Sequence, residues 1–426
     1  MATLNYTFTF ISLVDSCDLN ISFNGDFEEF EGLINTLKYG IFGRYDVNDG
    51  VAYFMRSSEI LYANCENLVN HLSYINSPQL RALPAWIKKV GFDNFFTVVT
   101  NRTIPQHESF AIRAKIEELQ FGIPFEQTME QIHELTSSIY SNYSVIAYDG
   151  HKRVYIGPSQ KENRRCRYCH RTQDDGATFK KIGHTISEGL GNKAIITNDE
   201  CDECNEHFGQ NIEPHFIRFI DPLRVLFGVQ GKEHKITKIK GDNFEMELLP
   251  DTPKTFNIKI FEEHKGNSHE KVLSISLKHN TDIIPQNLYK CLVKYAYGII
   301  PEDLLDRFES TSNWLLGKSE HLNLPLIRIA YINGYEPEPR IVVYIKSNDD
   351  VTLPYAIGEF HVLNMIYVYI IPIFTDDESK YCNPDGWQNV LEILRHWNSL
   401  NWVWKNFSSL EPIQPIMNFN FSKRNS

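Results

Sequence analysis

Cys166-Arg167-Tyr168-Cys169 and Cys201-Asp202-Glu203-Cys204 enclose the run Lys180-Lys181-Ile182-Gly183-His184-Thr185-Ile186-Ser187-Glu188-Gly189-Leu190-Gly191-Asn192-Lys193, and Asn205-Glu206-His207-Phe208-Gly209 follows directly. Each Cys-x-x-Cys pair puts two thiolates on one tight turn, and two pairs separated by 31 residues (170 to 200) can close one tetrahedral Zn²⁺ site. A closed four-cysteine site is structural, not catalytic. The alternatives are a redox dithiol, which calls for one pair after a βαβ strand and not two, or four unrelated buried cysteines. Cys17, Cys65, Cys291 and Cys382 are scattered in apolar surroundings and read as small core residues. A strand end bearing one histidine, a glycine-rich turn and a helix bearing a polar residue together predict a compact ββα finger.

At about 150 residues per domain, the 426-residue chain predicts two or three domains with real cores. Hydrophobic residues at 42% and charged residues at 23% exclude a disordered or low-complexity chain. The formal charge of −12 argues against coating nucleic acid by bulk electrostatics, but it is unevenly spread. Up to Gly150 there are 9 Lys and Arg against 18 Asp and Glu, whereas from His151 to Lys181 there are 9 against 3. Nucleic-acid contact is therefore expected to be confined to the basic segment and weak at physiological salt.

Met1 to Val14 has no basic leader and alternates Leu4, Tyr6, Phe8 and Phe10 with Asn5, Thr7 and Thr9, so it reads as a strand and not an export signal. The most apolar stretch, His361 to Phe374, is shorter than the roughly 20 residues a membrane helix needs and contains Pro372. It reads as a buried strand. With so few cysteines outside the two pairs, the expected compartment is the cytoplasm, with no membrane partner.

Shifts of pattern divide the chain into three. Residues 1–157 predict an α+β domain of unassigned role, with helical spacing at Phe125, Met129, Ile132, Leu135 and Ile139 and a strand at Val154 and Ile156. Residues 158–232 hold the paired cysteines. Residues 233–426 predict a second α+β domain, for recognition or oligomerisation, with strands at Lys271–Leu277, Arg340–Ile345 and Met365–Ile371. Leu288, Cys291, Leu292, Tyr295 and Ala296 share one face of a helix opened by Pro285, and Val390, Leu391, Leu394 and Trp397 share another. Trp397, Trp402 and Trp404 offer rings on which bases could stack, but their near-helical spacing reads as core or interface. The fold class expected is α+β, with a central ββα finger and structural zinc between two α+β domains.

The paired cysteines and the residues between and after them resemble the HNH endonucleases of the His-Me finger group. The bacterial subfamily in question has a core similar to Cys-x-x-Cys, (Ala/Gly/Glu)-His-x-Ile-Pro-Glu-x-Leu-Gly-Asn and Cys-x-x-Cys-Asn-x-x-Phe-Gly. The resemblance covers about residues 158–232 and implies a ββα-metal fold and metal-dependent hydrolysis of DNA, in preference to RNA. By that resemblance, His184 matches the general base that takes a proton from the attacking water, a task suited to an imidazole whose pKa lies near neutrality. Asn192 matches the residue that orients the imidazole, and Asn205 a ligand of the single catalytic Mg²⁺ or Mn²⁺ that stabilises the leaving oxygen. Arg164, Arg165, Arg167, Arg171, Lys180 and Lys181 would hold phosphates. In-line attack by water implies a 5′-phosphate product. Stand-alone bacterial proteins of this kind resemble restriction or anti-phage defence nucleases, acting as homo-oligomers or with a partner defence protein.

The sequence departs from that pattern at two positions. Many relatives carry Asp or Glu before the base as a second metal ligand, where this chain has Gly183, and the frequent proline is Ser187. On a helix running from Asp202 until Pro214 stops it, Asn205, Gly209 and Glu213 share a face at i, i+4 and i+8, so Glu213 can supply the carboxylate, as can Glu188 from the turn. His207, two residues from Asn205, is expected on a different face. Gly183 also motivates a second reading, a zinc-stabilised nucleic-acid-binding module without catalysis. A zinc deaminase is excluded because Ile186 stands where His-x-Glu needs its glutamate. A phosphate-binding loop is excluded because Ser312 stands where the first glycine before Gly317-Lys318-Ser319 is required, and Gly228-x-x-Gly231-Lys232 has the wrong spacing.

Overall fold

A computed structural model describes residues 4–74, 77–102, 104–150, 153–229, 238–249, 256–261, 272–278 and 280–422. His151 and Lys152 of the basic segment, the expected boundary at 232 with Gly231 and Lys232, Lys271, and the side chain of Trp397 lie outside the described residues. The protein is α+β and divides into two compact units, Met1–Ser137 and Ser138–Ser426. No helix among the described residues is long and apolar enough to cross a membrane.

The first unit follows from the alternation at the amino terminus. In β1 (Leu4–Ser12), Tyr6, Phe8 and Phe10 face one core and Ile11 the other, as the two-residue period of a strand requires. With β2 (Ser16–Phe23), β3 (Ala52–Arg56) and β4 (Phe95–Thr100) it forms an antiparallel sheet of order β2-β1-β4-β3. Helices α1 (Phe27–Phe42), α2 (Glu59–His71) and α3 (Pro78–Val90) cover the aromatic face, and α4 (Gln106–Phe121) covers the other with Ile112 and Ile116. Asp26 and Ser58 cap α1 and α2 through their side chains. The spacing from Phe125 to Ile139 does form a helix, α5 (Phe125–Asn142).

The second unit starts with β5 (Tyr143–Tyr148). The finger follows: β6 (Val154–Ile156), β7 (Gly183–His184) and β8 (Ile195–Thr197) form a sheet of order β6-β8-β7, and α6 (Asp202–Asn211) and α7 (Glu213–Leu226) complete it. Pro214 does not simply end the first helix. It occupies the first turn of α7, where a missing N–H costs nothing, and the chain breaks at Ile212 between the two helices. Beyond the finger lie a small sheet of β9 (Ile239–Lys240), β10 (Phe244–Leu248) and β11 (Phe256–Ile260), then β12 (Val272–Lys278), α8 (Pro285–Tyr297) and α9 (Glu309–Leu315). The long hairpin β13 (Ile327–Lys346) and β14 (Ala356–Ile370), α10 (Gln388–Ile393), β15 (Trp402–Lys405) and β16 (Ile416–Ser422) complete the chain.

Two features of this unit position the finger. First, β5 pairs with β13, from Ile341↔Tyr148 to Lys346↔Tyr143, so this strand belongs to the sheet of the carboxy-terminal half, while the strand expected at Val154 and Ile156 is β6 of the finger. Second, α8 is buried nearly all round, not on one face: it packs against α7 as well as β13 and β14. Finger residues such as Tyr168, Phe208 and Phe216 therefore share one continuous core with Leu292, Tyr295 and Tyr297 of α8 and Phe360 of β14. The apolar stretch from His361 is the buried interior of β14, as expected. Trp402 and Trp404 pack on a neighbouring core, with the Arg328 guanidinium 4.4 Å from the Trp402 ring centre, so their place is structural.

Candidate active site

The two cysteine pairs meet. The Sγ atoms of Cys166, Cys169, Cys201 and Cys204 all lie within 4.8 Å of one another, and those of Cys169 and Cys201 are 3.7 Å apart. A tetrahedron with Zn–S bonds of about 2.3 Å has S–S edges of about 3.8 Å, so the cluster has the size and donor set of a four-cysteine zinc site. The surroundings suit thiolates: the Cys201 amide donates to Cys166 Sγ and Arg171 Nε to Cys169 Sγ, both at 3.5 Å. His170, with φ of 62°, turns the chain so that its own amide closes on Cys166 O and the Cys166 amide on Arg171 O. Cys201 sits at the N-terminus of α6 and Cys204 in its first turn, so the cluster fastens the first knuckle to the helix that carries Asn205.

His184 ends β7, paired across the hairpin with Ile196 of β8. The strand is clamped from beneath by Lys294 of α8, which lies 110 residues away in sequence. The Lys294 ammonium donates to His184 O at 2.8 Å, to Thr185 O at 3.3 Å and to Glu213 Oε1 at 2.9 Å, and Glu200 Oε2 lies 3.8 Å from it. Burial opposes the charge on Lys294, but Glu200 and Glu213 outweigh it and hold its pKa above the usual lysine range. Burial also pushes the Glu200 carboxyl up to about 7 despite that lysine.

His184, Asn205, Glu188, Glu200, Glu213 and Lys294 line one open cleft of about 800 Å³, with Lys181 and Arg224 at its walls. Asn205 donates through Nδ2 to Ile182 O at 3.4 Å, which leaves its amide oxygen able to accept or to ligate. Glu213 and Asn205 share the cleft although the helix breaks between them, because Glu213 opens α7. His207 points elsewhere, with Nε2 3.2 Å from Leu315 O.

Two of the expected roles change. Asn192 is fully buried, and its Nδ2 donates to Ile186 O and Ile195 O while its Oδ1 accepts from the Ala194 and Ile195 amides. An amide has two N–H groups and two lone pairs, so these four bonds exhaust it: Asn192 braces the turn between β7 and β8 and does not hold the imidazole. Arg167 is 2% exposed and forms a bidentate pair with Asp199 at 2.9 and 3.0 Å, while Nη1 donates to Gly298 O at 2.8 Å and Tyr297 O at 3.1 Å at the end of α8. It is a bolt between finger and α8 and holds no phosphate. Arg167→Ala strands Asp199 without its partner and is expected to lower stability by about 3–5 kcal/mol, measured by urea unfolding; a loss under about 1 kcal/mol contradicts this account.

The other basic residues stay at the surface. Arg164 donates to Pro158 O and Ser159 O, Arg165 to His170 O, and Arg171 pairs with Glu203. Lys180 is exposed, and Lys181 pairs with Glu206 at 3.0 Å; of the six, Lys181 alone lines the cleft. Glu200, Lys294 and Arg224 were not legible as site residues. Arg224 is 6% exposed, pairs with Asp221, and its Nε has no hydrogen-bond partner among the described residues.

Residues 166–220 match the HNH endonuclease family. No curated protein and no solved structure matches the chain. The finger is thus an HNH endonuclease domain with a four-cysteine cluster able to hold zinc.

Proposed function

We propose that this chain is a metal-dependent endonuclease that hydrolyses phosphodiester bonds of DNA in the cleft lined by His184 and Asn205. The supporting observation is convergence: the histidine of β7 and the asparagine of α6 reach one cleft together with three carboxylates and Arg224, inside the segment that matches HNH endonucleases. His184 acts as general base and removes a proton from the attacking water, a role for which a neutral imidazole is suited. Lys294 holds the carbonyls of His184 and Thr185 in place, and Asn192 braces the turn that follows them. Lys181 and Arg224 supply positive charge for the phosphate.

The oxygen donors of the cleft, one amide and several carboxylates, suit a hard cation such as Mg²⁺ or Mn²⁺. When bound, such a cation supplies charge to the leaving oxygen. Asn205 and Glu188 would hold it; Glu213 lies close but gives an oxygen to Lys294. The zinc is structural, and the product carries a 5′-phosphate. The cellular role proposed is restriction or anti-phage defence in the cytoplasm, with the first unit serving recognition, control or assembly. The rival reading, a binding module without catalysis, draws on Gly183 alone. Zinc-loaded protein is expected to nick supercoiled plasmid in Mg²⁺ or Mn²⁺ and to stop when EDTA removes that metal. Binding without nicking under any divalent metal would favour the rival.

A further inference from the structure

Position 183 shows why the usual carboxylate is missing. Gly183 lies opposite Thr197 in the hairpin, and a Cβ built there would stand 2.7 Å from Thr197 O, 3.0 Å from Glu200 Oε2 and 3.1 Å from Glu200 Cβ. Any side chain before His184 would therefore collide with one that comes from the turn between β8 and α6. The space is filled by Glu200.

Glu200 is an unusual buried acid. It is 2% exposed, yet its carboxylate lines the cleft shared by His184 and Asn205, and Oε2 has no hydrogen-bond partner among the described residues. Lys294 does not supply one, because its three N–H groups already point at His184 O, Thr185 O and Glu213 Oε1, leaving Glu200 Oε2 at 3.8 Å. That lysine therefore ties up Glu213, while its charge alone reaches Glu200. With both carboxyls ionised, the three groups sum to one negative charge. A buried carboxylate oxygen with no donor carries a desolvation penalty, which a ligating cation offsets. The neighbouring Cys201 anchors the backbone of Glu200 to the zinc cluster, so the ligand is held in place before the cation arrives.

We infer that Glu200 supplies to the divalent cation the carboxylate that Gly183 cannot, joining Asn205 and Glu188 as ligands, with Glu213 withdrawn from the ligand set by Lys294. The inference rests on the nuclease reading of the cleft. Its test is Mn²⁺ binding to the full-length, zinc-loaded protein, followed by electron paramagnetic resonance, for wild type, Glu200→Gln and Glu213→Gln. Glu200→Gln is near-isosteric, and its zinc content should stay at the wild-type level. The expected result is an affinity for Mn²⁺ weakened about tenfold or more in Glu200→Gln, with nicking restored at raised Mn²⁺, and a smaller effect in Glu213→Gln. If Glu200→Gln loses zinc, Glu200→Asp takes its place, and the same weakening is expected because the carboxylate is drawn back by one methylene. Wild-type affinity in the substituted protein overturns the inference while leaving a nicking wild type, and so the nuclease reading, intact. A wild type that neither binds Mn²⁺ nor nicks overturns both.

Discussion

Stripping zinc from the protein is expected to unfold the second unit, not merely to loosen a surface loop. Structural zinc contributes apparent free energies of about 10–16 kcal/mol in small domains at neutral pH, as large as the whole stability of an ordinary protein, about 5–15 kcal/mol. Here the four cysteines are not peripheral. Cys166, Cys201 and Cys204 belong to the same core as Tyr168, Phe208, Leu292 and Tyr297, so loss of the cluster exposes apolar surface on α6 and α8 together. Cys166→Ser should act in the same direction. Thermal unfolding before and after chelation, with zinc added back, reads the effect, and the core of the first unit, which contains none of these cysteines, should keep its own transition. An unchanged melting profile after complete zinc removal would mean that the cysteines are packed thiols.

The second large effect concerns chemistry. His184→Ala should lower the rate of DNA cleavage by about 10²–10⁴-fold, the range that a positioned general base contributes. The strand should survive the change, because the bonds that hold β7 involve the backbone of residue 184: its pairing with Ile196 and its carbonyl on Lys294. Zinc content and DNA affinity are therefore expected to match wild type, and the loss should fall on the rate of the bound complex. A parallel loss of DNA binding would point to a structural histidine.

What could be read from the sequence was whatever is local. The paired cysteines, the histidine before a glycine-rich turn and the asparagine after the second pair lie within one short segment, and their chemistry depends on spacing. The helix opened by Pro285 and the alternation in β1 are likewise local patterns. What stayed hidden arises from distance and burial. Lys294 reaches His184 across 110 residues, and the pairing of β5 with β13 crosses an even longer span, so no period in either segment announces it. Arg167 sits within a run of arginines and looks like its neighbours, because composition does not distinguish a guanidinium buried on Asp199 from one facing solvent. In the sequence Glu200 is one acid among several before a cysteine pair; the missing side chain at Gly183 is the sign, and only the hairpin register shows what fills the gap.

The most direct test of the central claim is to analyse the ends of the cleaved product. Zinc-loaded wild type and His184→Ala are incubated side by side with supercoiled plasmid in Mg²⁺ or Mn²⁺, and the nicked strands are end-labelled with and without prior phosphatase. The account predicts nicks bearing 5′-phosphate and 3′-hydroxyl ends with wild type and almost none with His184→Ala. Equal nicking by both proteins, or no nicking by wild type in either metal, would contradict it.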